Sequence, residues 1–271
     1  MAPRKIIAIT GASAGIGRAT AVRLAHDGAA VAICARRGDL LRHVAADIEA
    51  AGGEAIPVVA DVSSERDMEE LVRVTMLQYQ RLDVMICNAG FGIAGTIEGI
   101  TASQMRRLLD VNFLGTYYAA RAALPVFRRQ GTGHLILVSS IVGKRGVPYL
   151  GAYSATKFAQ VGLAESLRAE LAGSKIHVTV VLPVSTETEF FDVMTHETGT
   201  MVARSSGPRQ SADQVANSIA RAIERPVPEV YPYGKSRGLV WLNALAPGFC
   251  DRFVQKYGRK PVHDDRTVNR S

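Results

Sequence analysis

A tyrosine and a lysine four residues apart, Tyr153 and Lys157, are the side chains of this sequence best suited to acid–base chemistry. On a helix, residues at positions i and i+4 share a face, so the phenol and the ammonium come together. A cation beside a phenol favours the phenolate and lowers the tyrosine pKa from its reference of about 10. The pair therefore predicts a proton donor and acceptor near neutral pH. Tyr231 and Lys235 have the same spacing, but a proline and a glycine between them argue against a helix.

A glycine-rich turn follows the first predicted strand and opens the first predicted helix. It reads Thr10-Gly11-Ala12-Ser13-Ala14-Gly15-Ile16-Gly17. Glycines lack the Cβ atoms that would block a tight turn or a close ligand, and a helix start offers unpaired N–H groups to a pyrophosphate. In an α/β repeat, such a turn predicts a dinucleotide site. The residues expected to form it are Gly11, Ser13, Gly15, Ile16 and Gly17.

Two arginines, Arg36 and Arg37, end the second predicted strand. A site for NAD usually places a carboxylate here to bind the adenosine ribose 2′-hydroxyl, whereas an arginine accommodates a 2′-phosphate. Guanidinium groups bind phosphates through paired hydrogen bonds. The two arginines favour NADP(H) over NAD(H) as the cofactor; the alternative is that they are solvated charges at the end of a strand.

These residues lie in a regular alternation of short β-branched runs and longer amphipathic segments. The apolar runs are at 5–10, 30–34, 55–60, 83–87, 134–139, 176–183 and 229–231. The helix-period segments are near 15–27, 39–51, 64–80, 103–129, 152–172 and 211–224. This alternation predicts an α/β fold: a Rossmann-type, doubly wound parallel sheet of about seven strands, with helices on both faces. We expect a single domain over residues 1–235.

The composition fits one large core and excludes several classes of protein. Of the 271 residues, 47% are apolar, and no apolar run approaches the roughly 20 residues of a membrane-spanning helix. The apolar stretch near the start is too short for a signal peptide, so we expect a cytoplasmic protein. No basic, aromatic-rich motif indicates a nucleic acid as partner, and the three cysteines lack metal-ligand spacing, so no metal site is expected.

The net charge of +7 is concentrated in the last part of the chain. Residues 225–271 hold nine Lys or Arg against four Asp or Glu. After an apolar run at 239–246, Phe249, Phe253 and Tyr257 follow at helical spacing. We expect residues 236–271 to form a basic, partly apolar extension that packs on the body, on another subunit or on a membrane surface.

Taken together, the motifs resemble those of the short-chain dehydrogenase/reductase family. The glycine turn matches the family's TGxxxGxG pattern. The segments Asp61-Val62 and Asn88-Ala89-Gly90 match its adenine-contacting pair after strand three and its NAG motif after strand four. The residues that match its catalytic tetrad are Asn112, Ser140, Tyr153 and Lys157. The resemblance spans residues 5 to about 190, with the motifs in the expected order.

The resemblance implies a mechanism and an assembly. NADPH would deliver a hydride to a substrate carbonyl carbon, while Tyr153 gives the oxygen a proton and Ser140 donates a hydrogen bond to it. Lys157 would lower the tyrosine pKa and hold the nicotinamide ribose, and Asn112 would anchor a water that passes protons on from that lysine. In reverse, the same residues oxidise an alcohol. A homodimer or homotetramer through the helices that carry Asn112 and Tyr153 is also implied.

The end of strand six departs from the family pattern. Pro183 is present, but Val184 stands where the family usually has glycine. Thr186 and Thr188 can still serve the carboxamide and phosphate of the cofactor. The following segment, about 184–209, is polar and lacks periodicity, and we expect a mobile loop that closes over the strand ends as a lid.

Mostly apolar segments at 91–94, 141–142 and 147–149, with the 184–206 part of that loop, are expected on the substrate side, unless they serve only core packing. They indicate a hydrophobic carbonyl substrate. The leading hypothesis is therefore an NADP(H)-dependent oxidoreductase. The alternative is a catalytically silent dinucleotide-binding regulator or scaffold on the same fold.

Overall fold

The computed structural model describes residues 4–198 and 208–257. Its nine strands form two sheets in which all pairs are parallel. They are β1 (Ile6–Thr10), β2 (Ala30–Ala35), β3 (Glu54–Val59), β4 (Val84–Cys87), β5 (Thr132–Val138), β6 (Lys175–Val181), β7 (Ser185–Glu187), β8 (Arg209–Ser211) and β9 (Glu229–Val230). The main sheet has the order β3-β2-β1-β4-β5-β6-β9, and β7 pairs with β8. The predicted seven-stranded Rossmann-type sheet is confirmed.

Ten α-helices connect or follow the strands in the described part of the chain. They are α1 (Gly15–His26), α2 (Gly38–Ala50), α3 (Glu65–Tyr79), α4 (Ala102–Leu108), α5 (Gly115–Gln130), α6 (Gly151–Glu170), α7 (Phe190–Thr198), α8 (Ala212–Glu224), α9 (Ser236–Leu245) and α10 (Pro247–Tyr257). A π-helical turn, Leu109–Leu114, joins α4 to α5, and a 3₁₀ turn, Ile141–Gly143, follows β5. The six helices predicted from periodicity are all present.

Side-chain caps set the starts of α3, α4 and α8, the last through Ser211 and Gln214. Ser64 accepts a hydrogen bond from the Asp67 N–H at the start of α3. Thr101 caps α4, and Gln104 returns the contact to the Thr101 N–H, which completes a capping box. A capping side chain is worth about 1 kcal/mol to a helix. A threonine followed three residues later by a glutamine is the sequence pattern typical of such a box.

Two hydrophobic cores lie on opposite faces of the main sheet. Strand β5 supplies Leu135 and Leu137 to the core under α3, α5 and α6, and Ile136 and Val138 to the core under α1, α2 and α8. Successive side chains of a strand point to opposite faces, so a strand with helices on both sides is apolar throughout. Each fully buried large apolar side chain contributes about 1.5–3 kcal/mol to the free energy of folding. The two cores together therefore hold the sheet and its helices in place.

The strand order reverses direction between β1 and β4. The chain runs outward from β1 through β2 to β3, then returns to place β4 on the other side of β1. The connections after β1 and β4 leave in opposite directions, so a crevice opens beyond their carboxyl ends. The glycine turn after β1 and Asn88-Ala89-Gly90 after β4 both lie at this crevice.

The segment expected to be a polar loop over 184–209 has more structure than its sequence indicates. It contains β7, the two-turn helix α7 and β8, and residues 199–207 lie outside the described residues. Thr186 on β7 is buried and accepts a hydrogen bond from Gln210 of β8 at 3.1 Å. Long-range pairing of this kind has no local periodicity, so the prediction of an irregular loop was wrong for these residues.

The carboxyl-terminal extension forms the helical pair α9 and α10. Arg145, just after the 3₁₀ turn, donates to the Asn243 side chain at 2.8 Å and forms an ion pair with Asp251, so both helices are held against the body. Residues 258–271 and the side chains of Phe253 and Tyr257 lie outside the described residues. Across the described ranges, no helix combines the length and hydropathy needed to span a membrane.

The buried His134 on β5 makes the stability of the fold sensitive to acid. Its Nε2 lies 2.8 Å from the Thr179 hydroxyl, and burial, with smaller effects of His177 and Lys5, lowers its pKa to about 3. An unfolded histidine titrates near 6.5, so the unfolded state binds more protons below that pH. The free energy of unfolding therefore falls as the pH decreases from 6.5 towards 3.

We expect His134→Gln, whose amide can still reach Thr179, to remove this part of the acid sensitivity. Between about pH 7.5 and about pH 5, the wild type should lose roughly 2 kcal/mol more unfolding free energy than the variant. Urea denaturation at the two pH values measures this difference. Equal losses in the two proteins would show that His134 is not the acid-sensitive group.

Candidate active site

A cleft of about 610 Å³ opens at the carboxyl ends of the strands. Almost all of the residues singled out from the sequence line it. They are Gly11, Ser13, Gly15, Ile16, Arg36, Arg37, Asp61, Val62, Asn88, Ala89, Gly90, Ser140, Tyr153, Lys157, Pro183, Val184, Thr186 and Thr188. The structure therefore brings residues from the ends of six strands to one place.

Two predicted residues, Gly17 and Asn112, support the cleft from behind its wall. A Cβ on Gly17 would lie 2.3 Å from the Gly11 carbonyl oxygen and 2.5 Å from the Asn88 amide nitrogen, so only glycine fits there. Asn112 is fully buried in the π-helical turn. Its side-chain oxygen accepts from the Phe91 N–H at 3.0 Å, and its amide donates to the Phe91 carbonyl at 2.9 Å and to Thr156 at 3.1 Å.

The glycine turn fits the pyrophosphate of a dinucleotide. Gly11 and Gly15 adopt φ values of +67° and +53°, which side chains rarely tolerate. Helix α1 begins after Ala14, which provides no side-chain cap, and its first turn has no acidic residue. The helix thus presents uncapped N–H groups and a positive dipole end at the cleft, where an anion is favoured.

Asn88 holds the glycine turn in place. Its amide donates to the Thr10 carbonyl at 2.9 Å and to the Gly11 carbonyl at 3.2 Å. The Thr10 hydroxyl accepts from the N–H groups of Asn88 and Ala89 at 3.0 and 3.1 Å. These contacts fix the end of β4 relative to the turn after β1.

The two arginines lie at the rim of the cleft beside the glycine turn. Arg37 donates to the Ser13 hydroxyl at 3.3 Å and forms an ion pair with Glu189 at 3.1 Å. Arg36 lies 3.8 Å from the Asp61 carboxylate. Both guanidinium groups are half or more exposed, so a phosphate at this rim could reach them without burying a charge.

Tyr153 lies in the first turn of α6 with its side chain buried in the cleft wall. Burial raises the pKa of its phenol, and a hydrogen bond with Ser140 partly opposes this effect. The phenol is therefore protonated at neutral pH. Ser139, the other serine at the end of β5, donates its hydroxyl hydrogen to the Lys157 backbone carbonyl at 2.9 Å.

Lys157 is almost completely buried one helical turn after Tyr153. Its ammonium donates to the Val138 carbonyl at 3.0 Å and lies 5.7 Å from the centre of the Tyr153 ring. Burial lowers its pKa to about 7. The prediction that Lys157 lowers the tyrosine pKa is not confirmed, because Ser140 is the group that does so and desolvation outweighs it.

The end of the cleft beyond Tyr153 is apolar. Phe91, Ile141, Val142 and Val147 line it, as the sequence predicts. Ile93 and Ala94 are instead buried in the core, and Pro148 and Tyr149 lie outside the lining, which corrects the prediction for these four. Phe190, Phe191, Val193 and Met194 of α7 also line it, as expected for the 184–206 segment, whereas sequence reasoning missed three residues just before and within α9: Tyr233, Ser236 and Leu239. The apolar run at 239–246 was the available signal for the last of these.

Val184 replaces the usual glycine without backbone strain. Among the described residues, only Gln80 and Tyr149 are non-glycines with a positive φ, so Val184 adopts an ordinary conformation. Its side chain lines the cleft, and the preceding Pro183 carbonyl accepts from the Ile141 N–H at 2.9 Å. Thr188 lies against the glycine turn, since a Cβ on Gly15 would be 3.1 Å from it.

Comparison with known proteins gives the same result as the geometry. A family model described as short chain dehydrogenase matches residues 5–199. The uncharacterized oxidoreductase YxnA of Bacillus subtilis is 31% identical over 268 residues, which cover 98% of this chain and 75% of that protein.

Solved structures agree. An alcohol dehydrogenase from the archaeon Thermococcus sibiricus, complexed with 5-hydroxy-NADP, has a TM-score of 0.75 at 28% identity over 84% of this chain and 96% of its own. A 3-ketoacyl-(acyl-carrier-protein) reductase from Brucella melitensis, complexed with NADH, has the same TM-score, identity and coverage. This chain is thus a dinucleotide-dependent oxidoreductase of carbonyl and alcohol groups, and it belongs to the short-chain dehydrogenase/reductase family.

Proposed function

We propose that this protein is an NADP(H)-dependent reductase of hydrophobic carbonyl compounds, with Tyr153 as the general acid. In reverse it would oxidise the corresponding alcohol. The observation that carries the proposal is the position of the buried Tyr153 phenol. It lies with Ser140 at the boundary between the anion-binding glycine turn and the apolar end of one continuous cleft.

The chemistry follows from the ionisation states of the two buried groups. When bound, the nicotinamide supplies a hydride for the substrate carbonyl carbon. Tyr153 donates its proton to the carbonyl oxygen, and Ser140 donates a hydrogen bond to it. A raised pKa keeps the phenol protonated, which is the state that reduction requires. Lys157, with a pKa near 7, exchanges protons readily at neutral pH and can reprotonate the phenolate.

The residues that would hold the cofactor follow from the cleft. The uncapped start of α1 would bind the pyrophosphate, Asp61 and Val62 would contact the adenine, and Thr188 would lie against the phosphates. Arg36 and Arg37 would bind a 2′-phosphate at the rim. The absence of a carboxylate at the end of β2 removes the repulsion that such a phosphate meets in NAD sites.

The outer face of α9 supports contact of the protein with an anionic membrane surface. On α9, Trp241 and Leu245 lie one helical turn apart and are 60% and 87% exposed, while the polar Asn243 faces the body; Phe249 on α10 is 60% exposed. Residues 232–250 contain two cations and no acid. A helix with an exposed apolar stripe and cationic flanks binds anionic interfaces. Because Leu239 of α9 lines the cleft, this contact would place the substrate entrance beside the lipid.

Pairing of copies through α5 and α6 belongs to the same proposal. Tyr117 on α5 and Phe158 on α6 leave large apolar surfaces in contact with water, at 41% and 45% exposure. Covering such surfaces stabilises association by the same free energy per unit area as core packing. A homodimer or homotetramer would cover both.

Tyr153→Phe tests the catalytic assignment. We expect the variant to bind NADPH normally and to lose about 10²–10⁴-fold in kcat, because only the transferable proton is removed. NADPH oxidation with ketosteroids, acyl thioesters, quinones and aldehydes measures the loss. Tyr149→Phe makes the same chemical change outside the cleft and should leave the rate unchanged. A wild type that binds NADPH but reduces none of these carbonyls would instead favour the regulator or scaffold.

The double variant Arg36→Ala/Arg37→Ala tests the cofactor preference. Hydrogen bonds to a charged group contribute about 1.5–3 kcal/mol, so the ratio of kcat/KM for NADPH to that for NADH should fall by roughly 10- to 100-fold. Arg42→Ala on α2 serves as the control, since Arg42 pairs with the nearby Asp39 at the surface. An unchanged ratio would mean that the arginines are solvated charges.

Sedimentation with phosphatidylserine vesicles tests the membrane contact. We expect the wild type to bind in a salt-sensitive way and Trp241→Ser/Leu245→Ser to lose at least about 10-fold in binding, because two apolar anchors are removed. Leu77→Ser, an exposed leucine on α3, is the matched control. If the wild type does not bind vesicles but the double variant has a different oligomeric state in solution, the exposed apolar face of α9 is instead an interface between copies.

A further inference from the structure

A glutamine that the sequence analysis did not single out, Gln160, joins the catalytic lysine to Asn112. It lies on α6, three residues after Lys157, and is fully buried. Its side-chain oxygen accepts from the Lys157 ammonium at 3.1 Å. Its amide nitrogen donates to the Asn112 backbone carbonyl at 2.8 Å and to the Thr116 hydroxyl at 2.7 Å.

The chemistry of the partners fixes the orientation of this amide. An ammonium can only donate and a carbonyl can only accept, so the Gln160 oxygen must face Lys157 and its nitrogen must face Asn112. The Thr116 hydroxyl donates its own hydrogen to the Asn112 carbonyl at 2.9 Å and is thus free to accept from Gln160. Both lone pairs of the Asn112 carbonyl oxygen are then occupied.

This arrangement differs from the one that the family resemblance implies. There, Asn112 anchors a water that passes protons on from Lys157. Here, an amide side chain connects the two groups directly, and the side chain of Asn112 is bonded to Phe91 and Thr156. A primary amide accepts and donates hydrogen bonds, but it does not release a proton at neutral pH as a water chain can.

We infer that Gln160 is a positioning residue for the proposed reaction, whose amide holds the Lys157 ammonium in place and takes the position expected for a relay water. This inference rests on the proposed function for its catalytic consequence, but not for the contact itself. Two of the three ammonium hydrogens go to the Val138 carbonyl and to Gln160, which leaves the third for the cleft.

The surroundings of Lys157 make it depend on this contact. From β5 it faces the Val138 carbonyl; on its own helix it faces Gln160 and the Tyr153 ring. Gly90 lies on the cleft side, where an added Cβ would be 3.5 Å from the ammonium nitrogen. Tyr153 is the one ionisable side chain with a contact to Lys157 in the ranges that the structure covers, so no carboxylate there compensates for the loss of Gln160.

Titration of Lys157 by NMR of its Cε carbon tests the inference without any turnover. The resonance is assigned by its loss in Lys157→Arg. In Gln160→Leu, the midpoint should fall by about one to two pH units, because a hydrogen bond to the charged form is removed. In Gln160→Glu, the midpoint should rise, because the carboxylate keeps the hydrogen bond and adds an opposite charge.

Val161→Ala, a buried change at the next residue of α6, should leave the midpoint where it is in the wild type. If Gln160→Leu fails to fold, the rise in Gln160→Glu decides alone. Unmoved midpoints in the variants that fold would overturn the inference.

The pH dependence of kcat gives the second readout. The alkaline limb, where Lys157 loses its proton, should move to lower pH in Gln160→Leu and to higher pH in Gln160→Glu, whereas a purely structural role would lower stability and leave the limb in place. A wild type that reduces no carbonyl would remove the proposed function and leave the NMR result standing. An active wild type, together with a Lys157 midpoint that is the same in the wild type and in both Gln160 variants, would overturn the inference and leave the proposed function standing.

Discussion

The hydrogen bonds of Asn88 to the turn after β1 are the contacts on which the rest of the site depends. The sheet brings β1 and β4 side by side, but it does not by itself determine how the segments beyond their ends meet. Asn88 and the Thr10 hydroxyl determine this by four hydrogen bonds across the point where the strand order reverses. The start of α1, the arginines after β2 and the Asn88-Ala89-Gly90 segment then surround one cleft.

Sequence reasoning located most of the polar residues and glycines of this cleft because they belong to local patterns. A glycine turn between a strand and a helix, or a tyrosine one helical turn before a lysine, can be recognised within a few residues. The seven strands of the main sheet and the six predicted helical segments likewise follow from hydrophobic periodicity. The glutamine at position 104, three residues after the capping Thr101, is a similar local signal.

What the sequence could not indicate depends on contacts between distant segments. Ser236 and Leu239 of α9 line the cleft although they lie far along the chain from most of the other lining residues. The pKa values of Tyr153 and Lys157 also depend on contacts that the sequence does not show. Their spacing predicts an attractive pair, but the burial that raises one pKa and lowers the other is a property of the assembled wall around them. Gln160 escaped notice because an amide on an apolar helix face resembles an ordinary core residue until its partners are known.

The ion pair between Arg37 and Glu189 connects two sides of the cleft that are far apart in the sequence. Arg37 lies between β2 and α2, and Glu189 immediately precedes α7, the helix whose phenylalanines line the apolar end of the cleft. A ligand that bound Arg37 would compete with Glu189 for the guanidinium, so its binding would be coupled to the position of the start of α7. Thermodynamic reciprocity requires that anything which displaces α7 alters the affinity at Arg37 by the same factor. Ligand binding at Arg37 and the position of α7 would thereby be coupled through the ion pair of Arg37 with Glu189.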